Sequence, residues 1–156
     1  MHKPESVLPP AIAQGLGYVA LLPFVAGALA LWWSDGIHHA MVASLLSASA
    51  AAVLSFIGGI HWGLALRQPQ PRLFVWGVVP SIMAWAAQML PPARALLCHV
   101  VMLVVCCAVD RQVYASRGAQ AWLPLRLQLT AVAAVCCLIG AAALALGARS
   151  GAHAMV

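Results

Sequence analysis

Acidic side chains are nearly missing from this chain: Glu5, Asp35 and Asp110 are the three present in 156 residues. General acid–base chemistry therefore has few candidates. Charge of either sign is sparse, at 7% of residues, where soluble domains carry about a quarter. A soluble fold is excluded, because 64% of the residues are hydrophobic and small domains bury only about two-thirds of the surface their unfolded chains expose. Lipid must cover the remainder. Alternating strand segments of about ten residues are also lacking, which argues against a membrane β-barrel. Helices are then the element that pairs every backbone amide internally.

A basic patch is lacking too. The eight Lys and Arg residues stand singly between apolar runs, so the formal charge of +5 signals topology and not nucleic acid. There is no spaced cysteine framework, since Cys98, Cys106, Cys107, Cys136 and Cys137 all sit inside apolar stretches. No Ser/His/Asp order, phosphate-cradling glycine loop or metalloprotease motif occurs. No catalytic residue and no cofactor is therefore indicated. A cleavable signal peptide is not expected either: its apolar core spans about 7–15 residues, whereas the first run continues from Ala11 to Trp33.

What is present is a series of long apolar runs. A spanning helix needs about 20 such residues, and five segments, near 11–33, 40–66, 73–90, 95–115 and 126–147, predict an all-α membrane protein. Its expected form is a five-span antiparallel transmembrane helix bundle in a single integral membrane domain. The connectors at 34–39, 67–72 and 91–94 combine proline, glycine and charge, which stop helices. Lys3, Arg67, Arg72, Arg111, Arg117 and Arg126 fall on one side of such a bundle, against Arg94 and Arg149 on the other. The positive-inside rule then predicts a cytoplasmic N-terminus and a C-terminus outside. Trp32, Trp33, Trp76 and Trp122 mark span ends, and Pro23 and Pro80 predict bends inside the first and third spans.

The second run carries the clearest pattern. Ser44, Ala48, Ala51, Ser55, Gly59 and Gly63 recur at three- and four-residue steps, a face suited to close helix packing. The expectation is that Ser55, Gly59 and Gly63 meet another helix of the same chain, with a second copy or another membrane protein as the alternative.

His61 and Trp62 interrupt this face about 9 Å from the boundary marked by Arg67. With the predicted topology, Asp110, Arg111, Arg126, Gln128 and Thr130 reach the same level. Ionisable groups at membrane depth are costly and mark function or paired structure. Two readings stay open: a structural ion pair with a satisfied histidine, or a ligand or proton-handling site in which an imidazole titrates near neutral pH. A weaker set is Cys106, Cys107, Cys136 and Cys137 with His99, expected at comparable depth and of the type that binds soft metal ions. Buried thiols are ordinarily just small hydrophobes. His38 and His39 with Asp35 on the first connector make a still weaker metal set.

The run Leu54-Ser55-Phe56-Ile57-Gly58-Gly59-Ile60-His61-Trp62-Gly63 is distinctive. With Gly17-Tyr18, Leu21-Leu22-Pro23-Phe24, Val79-Pro80-Ser81, Trp85, Asp110, Trp122, Leu125-Arg126 and Leu129-Thr130, it resembles the bacterial and mitochondrial domain-of-unknown-function membrane family that includes transmembrane protein 69. The resemblance covers nearly the whole chain. It implies a multi-pass protein of the bacterial inner membrane with mitochondrial relatives, and it supplies no reaction. It also sets Gly59, His61, Trp62, Asp110 and Arg126 in motif positions. The expected function is a non-enzymatic accessory or assembly protein packing with lipid and other membrane proteins, or as a homodimer. The alternative is a small transporter or ligand-binding protein with a polar site near the cytoplasmic leaflet.

Overall fold

The computed structural model of the chain describes residues 8–34, 36–67 and 69–153. Lys3 of the charge count, and Asp35 and Gln68 of the first two connectors, lie outside them. Every regular element among the described residues is helical: α1 Ala11–Val19, α2 Leu22–Ala30, α3 Gly36–Arg67, α4 Pro71–Ala87, α5 Pro92–Ser116, a short 3₁₀ turn Gln120–Trp122, and α6 Leu123–His153.

Proline and glycine place the ends. Pro23 has no N–H to give to the Val19 carbonyl, so the first apolar run breaks into α1 and α2, bridged by Leu21 N–H donating to Tyr18 O at 3.0 Å. Pro71 and Pro92 open α4 and α5 at positions where the missing donor costs nothing. Gly118, at φ 71°, turns the chain out of α5, and Ala119 N–H caps the Tyr114 carbonyl at 3.0 Å. Pro80 is carried inside an unbroken α4.

Among the described residues, four stretches are long and apolar enough to cross a membrane: Ala11–Ala30, Ile37–Arg67, Pro92–Ser116 and Gln120–Gly147. The third predicted span, 73–90, is shorter than expected, because α4 ends at Ala87 after 17 residues. The chain is thus an all-helical, multi-pass membrane protein.

α3 is the hub, packing on α2, α4, α5 and α6, while α5 and α6 form the other large contact. Its inward face is Ala43, Leu46, Ser47, Ala50, Leu54, Ile57, Gly58, His61 and Ala65, stepping by three and four residues as a single helical stripe should. Phe24, Ala28 and Leu31 of α2, Leu96 and Leu103 of α5, and Ala133 and Cys137 of α6 close the core around it. Large apolar side chains such as Phe56, Leu66 and Val75 point outward, about 70% exposed. The outer surface is therefore apolar, as lipid contact requires.

The small-residue face is corrected by this arrangement. Ser44, Ala48, Ser55, Gly59 and Gly63 all face out, and a Cβ added at Gly59 or Gly63 would meet nothing within 4 Å. The close intrachain approach uses Gly58 instead, where a Cβ would overlap the Gly77 carbonyl oxygen of α4. Adjacent helical residues point about 100° apart, so the choice of Gly59 over Gly58 rotates the predicted interface off the bundle. Two serines on this side of α3 are satisfied locally: the Ser44 and Ser49 hydroxyls donate to the Ala40 and Leu45 carbonyls at 3.0 and 2.9 Å.

Candidate functional site

α5 lines His99, Leu103, Cys106, Asp110 and Tyr114 along its buried side. Asp110, the one acidic side chain among the described residues, is 0% exposed and accepts a hydrogen bond from Arg126 Nε at Oδ2, at 2.6 Å. Its other oxygen, Oδ1, lies 3.2 Å from Nε2 of His61, which is also 0% exposed. The guanidinium is 11% exposed at the start of α6. One carboxylate thus ties α3, α5 and α6 together.

The ring of His61 is oriented from both sides. Nδ1 is 3.1 Å from the Ile57 carbonyl oxygen of the preceding turn, and Trp76 on α4 meets the imidazole in a T-shaped arrangement with ring centroids 6.5 Å apart. Trp76 Nε1, Thr130 Oγ1 and Arg126 Nη2 are buried without hydrogen-bond partners. Cys106 and Tyr114, one turn to either side of Asp110, fall within electrostatic reach of it and of Arg126. Arg117 Nη1 donates to Leu64 O at 3.4 Å, placing a cation at the C-terminal end of α3.

His61, Asp110 and Arg126 therefore converge as the sequence suggests, with Thr130 buried on the same helix one turn from Arg126. Trp62 and Arg111 do not join them. Trp62 turns to α4, where Nε1 donates to the Phe74 carbonyl at 2.9 Å and the indole packs edge-on against Phe74. Arg111 is exposed, because a residue adjacent to buried Asp110 points about 100° away. Gln128 accepts instead from Tyr18 Oη at 2.9 Å. That bond lies by an open cleft of about 310 Å³ between α1 and α6, which includes no residue of the cluster.

The cysteine reading does not assemble. Cys106 lies one turn before Asp110 and Thr130 one turn after Arg126, so the Asp110–Arg126 pair sets Cys106 level with Thr130. Cys137 is then about 10 Å further along α6. Among the described residues no three His, Cys, Asp or Glu side chains group as metal ligands. His99 joins a different network, in which its Nε2 is 3.1 Å from Ser47 Oγ and that hydroxyl donates to Gln88 Oε1 at 2.8 Å. His39 pairs with Ser34 on the first connector, and its proposed partner Asp35 lies outside the described residues. Trp76 is expected from sequence only as a span-end marker, and Ser47 and Gln88 are not singled out at all, because single polar groups in separate apolar runs carry no spacing signal.

The sequence carrying this cluster matches a family model described as a protein of unknown function (DUF3429) over residues 9–142, from the start of α1 through most of α6. The chain belongs to the DUF3429 family. Transmembrane protein 69 of Xenopus tropicalis is 36% identical to it over 83 residues, which make up 50% of this chain and 32% of that protein. The chain therefore spans well under two-thirds of that relative's length. No solved structure matches it. Membership of DUF3429 brings no reaction with it, and what the cluster does has to be argued from its own geometry.

Proposed function

We propose that the protein is a non-enzymatic accessory or assembly factor, docking other membrane helices against the outward face of α3. The observation that carries this reading is the bare backbone at Gly59 and Gly63, open to the surface with Ser55 above it. In lipid, apolar surface alone gives no drive for association, and close backbone approach over small residues does. The buried cluster serves the same purpose from inside, holding α3 in one orientation so that this face stays outward. α4 is the remaining crossing helix of a five-span, single-unit bundle in a bacterial inner membrane, with the N-terminus cytoplasmic. Arg67, Arg72, Arg111, Arg117 and Arg126 then share the cytoplasmic end.

Tagged protein purified from its native membrane in mild detergent is expected to retain one dominant protein partner at stoichiometric level. Gly59→Leu with Gly63→Leu is expected to lose that partner by at least about tenfold, since a gap of 1.4 kcal/mol suffices, while eluting as a monodisperse bundle. A lone monomer from wild-type membranes would sink the reading. For the orientation, a C-terminal alkaline phosphatase fusion should be active and a C-terminal green fluorescent protein fusion dark. The reverse pattern would invert the topology.

A second reading has its own support. Ionisable groups buried at membrane depth, as His61 and Asp110 are, mark substrate, ion or proton pathways in transporters. Five spans are few for a self-sufficient transport path, which leaves docking the better supported of the two.

A further inference from the structure

The hydrogen-bonding capacity of His61 determines where one proton has to be. Nδ1 lies 3.1 Å from the Ile57 carbonyl oxygen, and a carbonyl only accepts, so Nδ1 carries a hydrogen. A neutral imidazole has one N–H, and this contact uses it. Nε2 would then turn a lone pair toward Asp110 Oδ1 at 3.2 Å, with both side chains 0% exposed. An ionised carboxylate also offers only lone pairs. Neither Nε2 nor Oδ1 has any other partner, so two acceptors would face each other in a sealed interior.

We propose that a proton is bound between His61 Nε2 and Asp110 Oδ1, making the cluster a proton-binding site at the junction of α3, α5 and α6. The bound form is an imidazolium facing a carboxylate or, with the same stoichiometry, an imidazole accepting from a carboxylic acid. The proton belongs to the pair. A proton is also the ligand that needs no cavity, which suits a pair with no exposed surface.

The surroundings decide what binding does. α4 contributes Trp76, with Arg72 exposed one turn before it, α5 contributes Cys106, Cys107 and Tyr114 with Arg111 outside, α6 contributes Arg126, and Arg117 and Arg67 stand at the C-terminal end of α3. With the proton, the cluster is cohesive across α3 and α5 but carries a net positive charge. Without it, the cluster is neutral overall, and the α3–α5 contact opposes two lone pairs. Loading and unloading therefore bias how α3 sits on α5. The inference uses the same cluster as the transporter reading but not transport itself: a proton bound and never moved sustains it while ending that reading. Loss of the docking partner bears on neither.

The test uses full-length protein in lipid nanodiscs, with ¹⁵N-labelled histidine and infrared detection of protonated carboxyl groups. His61 is assigned through its backbone links to Ile60 and Trp62, so the measurement is made on the wild type and does not depend on a variant folding. At neutral pH either both His61 nitrogens should carry protons or an acid carbonyl band should appear. That signal should disappear in Asp110→Asn, whose amide N–H donates to Nε2 in place of the bound proton. A His61 protonated at Nδ1 alone, together with a fully ionised Asp110 from mildly acidic to mildly alkaline pH, would overturn the proposal.

Discussion

Replacing Asp110 with alanine is expected to cost the folded bundle about 3–5 kcal/mol, because it strands the Arg126 guanidinium and the His61 ring in the interior. Arg126 is only 11% exposed. Buried Tyr114, its remaining polar neighbour, carries no charge to replace the carboxylate. The readout is the temperature at which the detergent-solubilised protein loses its monodisperse peak, and a large drop is expected for Asp110→Ala. The double change Asp110→Leu with Arg126→Met should recover most of it, since removing both charges of a buried pair is often neutral. An unchanged midpoint in the single variant would mean that the ion pair does not hold α5 to α6.

The other large effect belongs to two glycines in contact across helices. Gly58→Leu is expected to separate α3 from α4, since even a Cβ there overlaps the Gly77 carbonyl oxygen, and a backbone atom cannot rotate away as a side chain can. Overpacking ordinarily costs about 1–3 kcal/mol, and a clash with backbone belongs at or above the top of that range. Gly59→Leu, one residue along, should leave the midpoint within about 0.5 kcal/mol, the usual scale for changes away from packed features. Equal effects at Gly58 and Gly59 would show that α3 is rotated from the orientation described. The contrast also separates folding from docking, because Gly59 is the position whose substitution should cost a partner.

These two glycines show where sequence was informative and where it was not. Long apolar runs announce helices in lipid through length alone, and proline and glycine mark their ends to within a few residues. The exceptions are α3, which starts at Gly36 and not near residue 40, α4, which stops at Ala87, and α6, which runs to His153, past the expected 147, while the first run divides into α1 and α2. Rotation about the helix axis is harder. A helix small and apolar on several sides, with Ala50, Ala51, Ala52, Gly58 and Gly59 in succession around it, has no hydrophobic contrast between core and lipid to fix which side turns inward. The cluster was legible because charge is so scarce: once Asp110 had to be buried, the nearest cations on neighbouring helices were its natural partners. Arg111 failed as a candidate for the same rotational reason as Gly59. The Ser47–Gln88–His99 network was not legible, since Ser47 and Gln88 are uncharged and, unlike Asp110, nothing in the sequence requires them to find a buried partner.

α3 and α4 are neighbours of very unequal length, 32 and 17 residues, or about 48 and 25 Å at the helical rise. The hydrocarbon core of a typical bilayer is about 30 Å thick. The long helix can meet that thickness by tilting, whereas a short one has no such freedom and draws the lipid in around it. In the five-span reading proposed above, α4 would make one flank of the bundle thin the bilayer beside it. Thinning of this kind carries a modest free-energy cost that falls in thinner membranes, so in that reading hydrophobic mismatch at α4 would give the protein a preference among lipid environments that owes nothing to any polar side chain.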